Sequence, residues 1–135
     1  MHSRQASARP TLRTLAVGDL LPSGTLQRKR TRRLDATAIL LPGQSPLAEY
    51  RRELDRHLDD FAAWDGDVVI LDGDGAPDHL LVVVDRYGQV YESVAVPDAS
   101  ALPSAGALEA WFRFLATACP ECGVLDDPRR RDWVP

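Results

Sequence analysis

Three short, almost unbroken apolar runs punctuate the chain: Ala36-Thr37-Ala38-Ile39-Leu40-Leu41, Val68-Val69-Ile70-Leu71 and Leu80-Leu81-Val82-Val83-Val84. Runs of this length without alternation predict strands buried on both faces. The first stops at Pro42-Gly43. Between the first and second, Leu47, Tyr50, Leu54, Leu58 and Phe61 recur at helical spacing, predicting one helix that ends near Trp64-Asp65-Gly66. Ser45 reads as its N-cap, with Pro46 at the first helical position. Arg51 with Asp55, and Arg56 with Asp60, supply i,i+4 pairs on its wet side. Asp72 to Asp78 is a turn-rich loop. Arg86-Tyr87-Gly88 turns the third strand, and Gln89 to Val96 alternates as its hairpin partner. After a loop over Pro97 to Pro103, Ser104 caps a last helix whose apolar face is Leu108, Trp111, Phe112, Leu115 and Cys119; Pro120 ends it.

The order is thus strand, helix, strand, strand, strand, helix. Two strands flanking a helix should be parallel with a right-handed crossover. The last two form a hairpin, and the helices cover the faces of one mixed sheet.

At 135 residues the chain reads as one domain, long enough to bury a core without disulfides. A net charge of −4 gives the whole molecule no reason to seek nucleic acid or an anionic membrane. The charge is uneven: Arg4, Arg9, Arg13, Arg28, Lys29, Arg30, Arg32 and Arg33 crowd the first quarter against Asp19. No aromatics interleave Arg28 to Arg33, so that run reads as a solvated loop. Residues 1–14 read as a basic tail, 15–125 as the domain and 126–135 as a charged C-terminal tail. No stretch is apolar enough to span a membrane, and the start lacks the apolar core of a secretory signal. The expectation is a cytoplasmic protein.

Candidate chemistry is sparse. The two cysteines stand together as Cys119-Pro120-Glu121-Cys122. Redox pairs of this spacing usually open a helix, where the dipole favours the thiolate; this pair closes one. Three readings stay open: a buried thiol beside a loop thiol, a redox-responsive pair, or half of a zinc site shared across a homodimer, since one chain has no second ligand pair. Asp72-Gly73-Asp74-Gly75 fails the calcium-loop register, because Ala76 and Val83 stand where oxygen ligands are needed. His57 reads as a boundary residue. No metal or other cofactor is called for.

Several segments carry a resemblance. Val17-Gly18-Asp19-Leu20-Leu21-Pro22, then Ile39-Leu40-Leu41-Pro42-Gly43, then Val82 to Val90 with its Asp-x-x-Gly turn, resemble the opening segment, central strand and hairpin of the peroxiredoxin/redoxin branch of thioredoxin-like proteins. The likeness covers roughly residues 15 to 118. It implies an α/β, three-layer, thioredoxin-like fold. A βαβ unit and a C-terminal ββα unit would share a central mixed sheet, without the usual helix between the halves.

In that family the catalytic cysteine lies where the central strand turns into its helix. Here the turn reads Gly43-Gln44-Ser45-Pro46-Leu47-Ala48, and with Ser45 and Ala48 in the Cys-x-x-Cys positions both sulfurs are gone. The resemblance also puts His79 near the family's cis-proline position, facing Ser45, and lays the acidic loop over the vacant turn. It therefore implies a binding or regulatory module without catalysis, acting on an unknown protein partner. The alternative is a thiol–disulfide or peroxide-linked oxidoreductase using Cys119 and Cys122 on a thiol substrate.

Overall fold

The computed structural model describes residues 12–22, Thr25 and residues 36–117. Among them are four strands, β1 (Ala36–Leu41), β2 (Gly66–Ile70), β3 (His79–Asp85) and β4 (Val90–Val96). The three helices are α1 (Ala48–Arg56), α2 (Leu58–Ala62) and α3 (Ala105–Thr117). The chain is an α/β protein built on one mixed sheet of order β2-β1-β3-β4. β1 pairs parallel with β2, from Ala36 opposite Gly66 to Leu40 opposite Ile70. It pairs antiparallel with β3, from Ala36 opposite Asp85 to Leu41 opposite Leu80. β3 and β4 form the hairpin. Its turn is closed by Gly88 N–H to the Asp85 carbonyl at 3.1 Å, while the Asp85 carboxylate accepts from the Tyr87 and Gln89 amides. Gly88 sits at φ +83°, a left-handed angle that costs glycine least.

Central placement explains the composition of β1 and β3. All six residues of β1 and the first six of β3 are buried, and alternate side chains enter two separate clusters. Ala36, Ala38, Leu40, Leu81 and Val83 face a cluster with Tyr50, Leu54, Phe61, Leu108 and Phe112. Ile39, Leu41, Leu80, Val82 and Val84 face the other side, where Leu15, Val69 and Val90 join them. Both helical units therefore lie on one face of the sheet, whereas the three-layer expectation placed helices on both. Asp72–Asp78 is too short to supply a helix for the other face. Leu12, Leu15 and Leu21 pack there instead. Leu12–Thr14, within the stretch expected to be a tail, is a 3-10 turn.

The single helix expected up to Trp64 is two. α1 ends at Arg56, His57 breaks the run, and α2 starts at Leu58. The His57 ring donates from Nδ1 to the Glu53 carbonyl at 2.9 Å and stacks on Phe61. The break rotates Leu58 off the apolar face, leaving it 43% exposed, while Phe61 is fully buried. Phe61 meets Phe112 edge to face, with ring centroids 5.1 Å apart. α3 begins as its sequence predicts: Ser104 Oγ accepts from the Ala107 amide at 3.1 Å. The Glu53 carboxylate accepts from Ala105 N–H at 2.8 Å, which adds a charge at the favourable helix end and ties α1 to α3. No described helix is long and apolar enough to cross a membrane.

Candidate functional site

The turn after β1 is held by the start of β3. Gly43 approaches the chain at residues 77–78 so closely that a β-carbon on it would stand 2.3 Å from the Pro77 carbonyl oxygen. Gln44 N–H donates to that same carbonyl at 3.0 Å, and its side-chain amide donates to Gly75 O at 2.8 Å. The loop before β3 thus lies against residues 43–44.

His79, the first residue of β3, is fully buried beneath this turn. Its Nδ1 accepts from Gly43 N–H at 2.7 Å, and its Nε2 lies 2.7 Å from Ser45 Oγ. Ser45 Oγ donates to the Pro97 carbonyl at 2.8 Å. The directions of these bonds are mutually determined. A backbone N–H can only donate, so Nδ1 carries no proton. A neutral imidazole then has its proton on Nε2, which donates to Ser45 Oγ, and the serine passes its own proton to Pro97 O. The network links β1, β3 and the segment after β4 with every donor matched to an acceptor.

That order decides what the turn can do. A serine nucleophile needs a histidine nitrogen with a free lone pair to take its proton. Here the nitrogen facing Ser45 already bears a hydrogen, and the free lone pair is spent on Gly43. The Ser45–His79 contact has the length of a catalytic dyad and the polarity of a structural bond. Nor is Ser45 the N-cap expected of it: α1 begins at Ala48 after Leu47, with no side-chain cap, and the Ser45 hydroxyl is committed to His79 and Pro97. Ala48, the other position of the vacant pair, opens α1 and is exposed.

Beside the turn a groove of about 650 Å³ runs between α1 and the segment 98–104, with Pro46 and Ala48 on its wall. Of its acidic groups, Glu53 is engaged at the α3 terminus, Asp98 accepts from the Ser100 amide at 3.1 Å, and Glu49 lies 3.9 Å from Arg52 at the surface. Tyr50 donates to Pro103 O at 2.7 Å. Burial, reinforced by the Glu53 charge, pushes its phenol well above the ordinary range, so it remains protonated.

Of the residues singled out in the sequence, Gly43, Gln44, Ser45 and His79 come together here. Cys119 and Cys122 lie outside the described residues. Among the described residues no group of three or more His, Cys, Asp or Glu side chains could hold a metal. Sequence reasoning missed Pro97, whose carbonyl has no signature in a sequence, and Arg13. Arg13 forms a two-pronged ion pair with Asp74, with Nε to Oδ2 at 2.7 Å and a terminal nitrogen to Oδ1 at 2.9 Å. This bond holds the Asp74 carboxyl down at about 2. Comparisons with family models, with curated proteins and with solved structures gave no match.

Proposed function

We propose that this chain is a thioredoxin-like domain of the redoxin branch in which the active-site turn has become a structural latch. It serves in the cytoplasm as a non-catalytic binding or regulatory module. The sheet order supports the fold reading, with a parallel first pair, an antiparallel hairpin and a closing helix around a central β1. The observation that carries the functional reading is the direction of the bonds at His79. Gly43 N–H occupies Nδ1, so Ser45 receives a hydrogen bond from the ring and cannot surrender its proton to it. A partner would dock on the turn and the adjoining groove.

The test is the tautomer. Nitrogen-15 NMR of the His79 ring should show Nδ1 unprotonated and Nε2 protonated, and a fluorophosphonate probe should leave Ser45 unlabelled. A proton on Nδ1 together with labelling of Ser45 would make the turn catalytic and end this reading. The rival oxidoreductase reading rests on the spacing of Cys119 and Cys122. It predicts a defined reduction potential and fast alkylation of Cys122 ahead of Cys119. Slow, independent alkylation of both thiols in folded protein would remove it.

A further inference from the structure

Residues 12–22 cross the sheet face opposite the helices and are fastened at both ends. At one end Gly18 N–H donates to Val90 O and Val90 N–H to Asp19 O, each at 2.8 Å, and Leu21 N–H donates to Gly88 O at 2.9 Å. In the middle, Leu15 is buried against the sheet. At the other end Arg13 grips Asp74 in the loop before β3. The next residue of that loop, Gly75, takes the Gln44 side-chain amide, and two further on Pro77 takes the Gln44 backbone amide. The loop is therefore clasped from both sides, by the strap at Asp74 and by the turn at Gly75 and Pro77.

We infer that residues 12–22 form a strap that holds loop 72–78 against the turn at residues 43–44, with Arg13–Asp74 as its clasp. This rests on reading that turn as the docking face. The clasp is the most readily broken link in the chain of contacts. The strap is otherwise held by backbone pairing and apolar burial, whereas the ion pair stands at the surface, with the Asp74 side chain 41% exposed. Asp78 adds its charge to the same guanidinium. Any carboxylate-bearing partner segment that competes for Arg13 would loosen the loop from Gly43 and free the two Gln44 amides for a docked chain. Access to the turn is thereby set from a segment some thirty residues upstream of it in the chain.

Hydrogen exchange on the full chain tests this. Arg13→Gln should raise amide exchange at Ala76 and Gln44, whose N–H groups donate to Asp74 Oδ1 and Pro77 O, by about threefold, the change that loss of one surface ion pair produces, and leave β1 and β3 unchanged. Asp74→Asn should do the same independently. The swap Arg13→Asp with Asp74→Arg should restore slow exchange. Unchanged exchange at Ala76 and Gln44 in both single variants would overturn the strap, as would a uniform rise across the whole protein. The His79 tautomer measurement is unaffected by either outcome, so the two readings fail separately.

Discussion

Gly43 and Gly66 are required by their neighbours' space and not by their own backbone angles. A β-carbon at Gly43 would meet the backbone at Pro77 and Asp78, and one at Gly66 would stand 2.6 Å from the Phe112 ring. We expect Gly43→Ala to cost about 3 kcal/mol or more, because the colliding atoms are main chain and cannot swing aside. Gly106→Ala is the matched control. Gly106 lies exposed in α3 with nothing closer than 3.8 Å to its β-carbon position, so alanine there should stabilise by about 0.5–1 kcal/mol. Urea denaturation of the two variants should give opposite signs. Thr37 offers a second stabilising change. It is fully buried in β1 and its hydroxyl has no hydrogen-bond partner among the described residues. Thr37→Val keeps the shape and removes the orphaned group, so it should raise stability by about 1 kcal/mol. A fall in the urea midpoint would show that the hydroxyl is satisfied after all.

At the scale of elements, β2 and β4 are the outer strands of the described sheet, and each ties up an outward amide with a carboxylate. Asp67 accepts from Val68 N–H at 2.8 Å, and Glu92 accepts from Ser93 N–H at 3.0 Å. An amide so occupied is unavailable to a strand from another chain. Asp67→Ala with Glu92→Ala should increase self-association at high concentration, measured by sedimentation velocity; an unchanged monomer fraction would count against the edge role. The strands themselves were legible in the sequence. The hairpin was legible too, because an Asp and a Gly at fixed offsets dictate that turn. The side on which each helix packs was not legible. A strand that is apolar on both faces carries no mark of which face a helix will cover. The break at His57 was equally hidden, since Leu47 through Phe61 keep helical spacing across it. In the candidate site, the meeting of Ser45 with His79 followed from the resemblance, but the serine's role did not. Ser-Pro before an apolar stripe has the form of an N-cap, and only the nearness of a buried ring claims the hydroxyl for another bond.

Across the whole molecule, one ion pair gives stability a recognisable acid signature. The Asp74 carboxyl is held at about 2 against an ordinary value of 3.8. A depressed carboxyl contributes stability above its unfolded-state value and loses it as pH falls toward the folded value. The difference in Tm between the native chain and Arg13→Ala should therefore be constant at neutral pH and close as pH drops from about 4 to about 2. The difference should be small, because exposed pairs of this kind contribute at most about 1 kcal/mol, and added salt should shrink it. A gap that widens on acidification would point to a different partner for Asp74.

The packing of Phe112 against Phe61 and over Gly66 bears on how the chain reaches this state. The central strand β1 is made first and the helix that seals its inner face last. During synthesis the strands and α1 emerge with that face open, and the cooperative transition has to wait for α3. Folding is in this sense governed from the end of the described chain, and contacts of high sequence separation are its slow step. A nascent chain halted before Trp111 should remain protease-sensitive throughout, and extension past Phe112 should confer resistance in a single step.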